Sequence, residues 1–460
     1  MSEQNFDGAH ELERTTIRRV TRRLVPFLVV LYIINFLDRT NVGFAALRMN
    51  EDIGISAAIY GLGAGIFFIG YFFFEVPSNV LLHKFGARIW IARIMITWGV
   101  VATSMGFLQT AGHFLTLRVL LGIAEAGFFP GIIFLLSMWF PARYRARVIA
   151  MFYLGIPVAQ VIGAPLSVGL MELGDAFGFV GWRVMYVLEG LPAIFLGIAC
   201  LFYLTDKPAD AKWLSQQERE WLIETLAREE REKLANGAPG LSRWQEIRQA
   251  LTHPLVWRMA LIYFGITSGS NAMNFFFPSV LQSFRSSFGI ELGLIQNGLI
   301  TAIPYSLAGI AKVLWSRHSD RKQERHIHAG SAALLAAGSI ALALWIDQPW
   351  IIVGGFVLLT IGVYSAINVF WAIPGQVLTG VGAAAGIGLI NSIGNLSGFT
   401  GPFITGLIYN LTGSYSPAFL VIAALVAAGG IGILLLPRKF STAVVAEHVP
   451  TETIESRKLS

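Results

Sequence analysis

The sequence predicts an all-α polytopic membrane protein with twelve transmembrane helices in two six-helix bundles. Three observations predict it. Only 13% of the 460 residues are charged while 55% are hydrophobic, against about 25% charged in soluble domains; so little polar side chain could not clothe soluble domains of this total length. Uninterrupted apolar stretches of about 20 residues, the length that crosses a bilayer as a helix, recur along the whole chain. One long polar interval, roughly 205–255, divides them into six and six. The runs are continuous instead of alternating, which disfavours a barrel. The same composition excludes disorder, collagen and coiled coil, and the single cysteine, Cys200, excludes a disulfide scaffold and a multi-cysteine metal site.

In chain order, an arm over 1–23 precedes spans at roughly 24–44, 59–82, 89–110, 114–139, 148–171 and 184–204. The interval 205–255 mixes Glu218, Glu220, Glu224, Glu229, Glu230 and Glu232 with Arg219, Arg228, Arg231 and Lys233, then Gly237 and Pro239, and reads as a solvated helical linker. Spans at roughly 256–281, 291–315, 328–345, 349–372, 384–409 and 415–436 follow, then a tail over 437–460. The first apolar run is too long for a secretory h-region and contains Asp38-Arg39, so it reads as an uncleaved first span.

Lysine and arginine set the orientation. One side carries Arg14, Arg18, Arg19, Arg22 and Arg23, then Lys84, Arg88 and Arg93, then Arg143, Arg145 and Arg147. Arg317, Arg321, Lys322 and Arg325 follow span eight, and Arg438 and Lys439 follow span twelve. The other side has Arg48, Arg183 and Arg285, and the connection from Pro374 to Ala385 has no basic residue. Basic short loops stay inside, so both termini are expected in the cytoplasm, at the cell inner (plasma) membrane. The net charge of +6 then reflects loops facing anionic lipid, and nucleic acid is not needed to explain it.

Several chemistries have no motif here. No Gly-x-x-x-x-Gly-Lys-[Ser/Thr] loop for ATP, no His-Glu-x-x-His and no Gly-x-Ser-x-Gly occur. His326 and His328 sit in a basic loop and read as surface residues. The expectation is therefore a protein that is not an enzyme, with no cofactor, no metal, no ATP and no nucleic-acid partner, working as a monomer.

Function is sought in the charges left inside the spans. Asp38 and Arg39 lie about 15 residues into span one, or about 20 Å at 1.5 Å per residue. Arg118 and Glu125 in span four are seven apart, on one helix face and two turns from each other. A charge at the bilayer centre costs about 2.5–3.5 kcal/mol on insertion scales, so four unpaired would oppose insertion by roughly 10 kcal/mol. They must pair or face a polar path. Two purely structural ion pairs are the plain alternative, but buried pairs are weak devices for stability. A carboxylate whose arginine partner is claimed by a substrate changes its proton affinity, which is the linkage a proton symporter needs. Glu75 and Glu189 read as gating or structural groups, and Lys312 as a snorkelling side chain.

The second half offers polar partners for such a path. Asn271 and Asn274 are three apart in span seven, Asn391 and Asn395 four apart in span eleven, and Asn368 and Trp371 share a face of span ten. Hydrogen bonds between helices are the equal alternative for each asparagine, and packing for Trp371. Gly61, Gly63 and Gly65, with those around Gly386 and Gly394, read as close helix contacts where bundles rock.

Two segments resemble signatures of the anion:cation symporter family in the major facilitator superfamily: Phe36-Leu37-Asp38-Arg39-Thr40-Asn41-Val42-Gly43-Phe44-Ala45, and Arg118 through Gly131 (RVLLGIAEAGFFPG). Trp139-Phe140-Pro141, Gly181-Trp182-Arg183 and Trp315-Ser316-Arg317-His318-Ser319-Asp320-Arg321 fit as well, and the likeness covers about 20 to 440. The superfamily's loop motif after span two is partly kept, with His83 at its aspartate position ahead of Arg88; the copy after span eight keeps Asp320-Arg321.

The resemblance implies proton-driven uptake of an organic carboxylate: sugar acids, tartrate, phthalate, hydroxyphenylacetate or pyridine carboxylates. It implies that Asp38 and Glu125 carry protons, that Arg39 meets the substrate carboxylate and that Arg118 modulates Glu125. Tyr71 in span two, Trp371 in span ten and Asn391 in span eleven match lining positions of sugar-acid members, and Gln160 in span five matches more weakly. Phe36 stands where those members can place tyrosine, and Phe275 to Phe277 add apolar surface, which favours a less hydroxylated or aromatic acid. The run from Ala64 to Asn79 looks most like the tartrate- and phthalate-type branch. Export by proton exchange, a carboxylate receptor without flux and an intramembrane hydrolase are the other readings; the linker is too short and featureless for a receptor's output domain.

Overall fold

A computed structural model describes residues 3–235, 248, 251–374 and 380–437. Arg438, Lys439 and the tail, Gly237 and Pro239 of the linker, and the first part of the connection after span ten lie outside the described residues. All regular structure among the described residues is helical. Span one is Glu3–Asp52, span two Ala57–Phe85, span three Ala87–Ser104 and span six Gly181–Tyr203. Spans seven to twelve are Pro254–Gln282, Leu294–Lys322, His326–Ile346, Pro349–Phe370, Gly380–Thr412 and Ser416–Leu434. Ten of the described helices are long and apolar enough to cross a membrane. Spans seven and eleven are not among these ten; they are long helices all the same, and they carry the two asparagine pairs.

Three local structures differ from expectation. Span one is one helix of 50 residues and absorbs the arm, because the segment from Glu11 to Leu24 is rich in helix-forming Glu, Arg and Leu and has no glycine or proline. Span four is two helices, Ala111–Glu125 and Phe128–Trp139. Span five divides likewise into Ala142–Tyr153 and Gly155–Ala176. The break in span four has a visible cause: Gly127 is left-handed, with φ +88°, and a Cβ there would lie 2.2 Å from Ser78 Oγ. The Ser78 hydroxyl donates to the freed Ala126 carbonyl (2.6 Å) and accepts from the Trp90 indole (2.9 Å). Broken backbone at membrane depth is tolerated only where such partners exist.

The linker helix, Gln216–Ala235, lies against the first bundle. Glu229 accepts from the backbone of Ala142 at 2.9 Å, and Glu218 pairs with Arg19 at 2.6 Å. Glu13 of span one holds both Arg143 and Tyr144 of span five. On the same side, Arg88 meets Asp206 beyond span six: its backbone N–H donates at 2.8 Å, and its guanidinium forms an ion pair at 3.7 Å. Asp206 is the acid that Arg88 meets, while His83, at the motif's aspartate position, packs on Phe134. After span eight Asp320 pairs with Arg325, not with its neighbour Arg321.

The reading of His326 and His328 as surface residues is corrected: both are buried. His328 Nδ1 lies 2.8 Å from Glu324 Oε2, and its Nε2 is 2.8 Å from His318 Nδ1. The Glu324 carboxyl is held below its usual range; burial opposes this, but the Ile327 and His328 N–H groups and the His328 ring outweigh it.

The two halves meet through spans two and eleven, five and eight, and one and seven. The approach is closest on the side away from the termini. A Cβ on Gly61 would lie 2.4 Å from the Pro402 carbonyl, and one on Gly406 2.2 Å from that of Ala57. Such backbone proximity needs glycine. Nearby, the Tyr60 hydroxyl donates to the Phe275 carbonyl (2.7 Å) and Gln282 to that of Leu47 (3.0 Å). Toward the termini, span two is exposed around much of its circumference at Phe72, Phe73, Phe74, Val76, Val80 and Leu81. The described helices therefore close on the far side and diverge on the side of the termini.

Candidate functional site

Adjacent residues on a helix point about 100° apart, so Asp38 and Arg39 project toward different neighbours. Their side chains divide. Arg39 forms an ion pair with Glu125 at the end of the first half of span four. Glu125 Oε1 also accepts from Asn35 Nδ2 at 2.7 Å, while Oε2 is buried with no hydrogen-bond partner among the described residues. The Arg39 guanidinium lies 5.1 Å from the ring centre of Tyr71 and 5.5 Å from that of Phe67, and its side chain is 24% exposed where that of Glu125 is fully buried. One turn along span two from Tyr71, half-buried Glu75 is a second carboxylate in electrostatic reach of Arg39. The cation is thus the reachable member of the pair.

Asp38 points into the bundle. Its Oδ2 accepts from the Trp98 indole of span three at 2.7 Å, and Asn41 Nδ2 lies 3.5 Å from Oδ1. Behind it, buried Glu189 of span six accepts from Ser167 of span five at 2.7 Å.

Arg118 makes its hydrogen bonds elsewhere, while its charge stays in electrostatic reach of Glu125. It donates to the Gly63 and Ala64 carbonyls of span two, at 2.9 and 3.1 Å, and is buried over the Phe67 ring. Its guanidinium bonds neither Glu125 nor a reachable surface here. Two turns of helix separate it from Glu125, and span two supplies nearer acceptors.

The second half gathers a different set. Gln160 of span five donates to the Tyr364 hydroxyl of span ten, a polar bond between the halves. Tyr305 of span eight donates to Asn274 Oδ1 at 2.8 Å. Asn271 donates to Ser397 of span eleven (2.8 Å) and to the Thr267 carbonyl (3.1 Å), the interhelical role that was its alternative reading. Asn391 and Asn395 are half-buried, and their side chains make no hydrogen bond among the described residues. Asn368 and Trp371 have different neighbours: exposed Asn368 donates to Ser316 of span eight (2.8 Å), while Trp371 lies past the helix end with its ring edge-on to Tyr263 of span seven, 4.9 Å between centres.

The structure therefore brings together Arg39, Glu125 and Tyr71, with Glu75 and Asn35, and sets Asp38 one layer behind. Sequence reasoning missed Asn35 and Trp98. Asn35 is four residues before Arg39 on the same helix face and was findable; no spacing rule marks Trp98 as the partner of Asp38.

Residues 28–399 match the family model described as Major Facilitator Superfamily. A protein of Agrobacterium vitis named "Putative tartrate transporter" is 46% identical, over 93% of this chain and 96% of its own. The Pseudomonas putida protein named "Putative metabolite transport protein NicT" is 38% identical over 92% and 94%. The Acinetobacter baumannii "Quinolone resistance transporter" is 39% identical over 88% and 91%. Among solved structures, a bacterial homologue of the human lysosomal transporter Spinster, inward-facing and unoccupied, superposes with a TM-score of 0.69 at 16% identity, over 90% of this chain and 95% of that one. The partially occluded, inward-open xylose transporter XylE of E. coli gives 0.66 at 14% identity, over 91% and 99%.

Proposed function

This chain belongs to the major facilitator superfamily, whose members are transporters and not enzymes, and we propose that it takes up a small organic carboxylate together with protons by alternating access. The tartrate transporter relatives support an organic anion as cargo. The observation that carries the reading is the Arg39–Glu125 pair, in which a partly exposed cation is held by a fully buried carboxylate.

With the termini in the cytoplasm, as the basic loops favour, the side toward which the halves diverge is the cytoplasmic one, and the conformation is inward-facing. Arg39 then meets the substrate carboxylate above Tyr71, with Gln160 and Asn391 lining the opposite side of the path. A substrate that claims Arg39 leaves Glu125 without its cation, and a buried carboxylate without a partner takes a proton. Binding and proton uptake are thereby linked at one guanidinium. Asp38, set behind the pair on Trp98, is the second proton carrier. Arg118 positions spans two and four.

Uptake into proteoliposomes is expected to rise with an inward-directed proton gradient and to collapse with a protonophore; uptake indifferent to both overturns the coupling. Asp38→Asn preserves an acceptor for Trp98 and is expected to abolish gradient-driven accumulation while exchange survives. Normal accumulation by that variant removes Asp38 from the mechanism. The quinolone resistance relative favours a second reading, export by proton exchange; the direction of flux under an imposed gradient separates the two.

A further inference from the structure

Outside the transport path, the N-terminal end of span one carries Arg18, Arg19, Arg22 and Arg23 on two neighbouring stripes of the helix. The pairs 18/22 and 19/23 are each one turn apart, a like-charge spacing that destabilises a helix unless an anion lies nearby. With Thr15, Tyr203 at the end of span six and Trp213 beyond it, the four arginines line a cavity of about 530 Å³. Among the described residues no carboxylate lines it. Arg19 is tied to Glu218, but exposed Arg18 and Arg22 have no ion pair among the described residues.

Aromatic groups fix the floor of this cavity. The Arg23 guanidinium lies 4.7 Å from the ring centre of Tyr203 and 5.0 Å from that of Trp213. The Tyr203 hydroxyl donates to the Arg23 carbonyl at 2.9 Å, which pins the helix to span six. Arg23 Nε and Trp213 Nε1 are buried donors without an acceptor among the described residues. Aromatic and basic side chains in one place mark the headgroup level of a bilayer. From Tyr203 back along span six, Phe202, Ile198 and Phe195 form an exposed apolar stripe on one helix face. A phosphate in the cavity would therefore have an apolar track leading away from it into the hydrocarbon.

We propose that this cavity holds the phosphate of an anionic phospholipid from the leaflet on the side of the termini, its acyl chains lying along Phe202, Ile198 and Phe195. A free phosphate shares the headgroup chemistry but leaves the apolar track unused. The bound lipid neutralises Arg18 and Arg22 and joins span one, span six and the start of the linker.

The test uses the full chain in phosphatidylcholine nanodiscs with and without phosphatidylglycerol, reading Tm and, by native mass spectrometry, retained lipid. Phosphatidylglycerol is expected to raise Tm and to be retained. In the double variant Arg18→Gln/Arg22→Gln the Tm shift is expected to vanish and retention to fall roughly 10- to 30-fold, as expected for losing two interfacial arginines. The double variant Arg18→Lys/Arg22→Lys keeps most of both, which separates loss of the site from misfolding. Equal retention by wild type and the Gln variant overturns the proposal. So does an equal rise in Tm on adding inorganic phosphate to pure phosphatidylcholine discs, which assigns the cavity to a soluble anion.

Discussion

Arg39 of span one and Glu125 of span four form an ion pair at the point where span four breaks. The fully buried carboxylate depends on the guanidinium, while the guanidinium remains within reach of solvent. Removing one partner of a buried pair costs about 3–5 kcal/mol, because the other is stranded. Arg39→Ala is therefore expected to lower stability and abolish transport. Arg39→Ala/Glu125→Gln should recover much of the lost Tm in detergent and none of the transport. A double variant no more stable than Arg39→Ala would show that the two side chains are not coupled.

Ser78 holds the break. Ser78→Ala strands the buried Ala126 carbonyl, at about 1–3 kcal/mol, and removes the acceptor of the half-buried Trp90 indole. Thermal unfolding should show a fall of several degrees. Transport should fall further than stability explains, because Glu125 sits next to the carbonyl that is released.

Gly61→Ala places a methyl group 2.4 Å from the Pro402 carbonyl. The clash exists only while the halves are closed on the side away from the termini, so the variant should shift the population toward opening there. A cysteine at Ala57 reports it, since the native Cys200 is buried. Maleimide labelling of Ala57→Cys should quicken when Gly61→Ala is added, and an unchanged rate argues against this contact as part of the closure.

Glu324 supplies a pH-dependent contribution at the loop after span eight. Its carboxyl is held low against the opposing effect of burial, by the Ile327 and His328 N–H groups and the His328 ring. A depressed folded value means the stabilisation is complete above the unfolded value, about 4.3, and is lost as pH falls through the lower folded value. The Tm difference between wild type and Glu324→Gln should thus be level at neutral pH and shrink below about pH 4. A constant difference across that range would remove the carboxylate's charge from the explanation.

Much of the candidate site was legible because burying charge in a bilayer is costly enough to make each survivor meaningful. Asp38, Arg39, Arg118 and Glu125 stand out for that reason alone, and the glycines of span two stand out because only close helix contact explains their number. The pairing was not legible. The sequence left open which charge pairs with which, and only packing between spans decides it. Arg118 found backbone carbonyls on span two, and Asp38 found an indole on span three. The break at Ala126-Gly127 was hidden within a continuous apolar run, although Gly127 and Pro130 carried a faint signal of it.

The sequence by itself determined the membrane fold, the six-and-six division and the small set of buried charges, because hydrophobic length and the cost of burying charge act residue by residue. Tertiary structure decided which charge meets which, where span four breaks and on which side the halves close. Those depend on which acceptors and backbones other spans bring within hydrogen-bond or van der Waals distance, and no single segment contains that information.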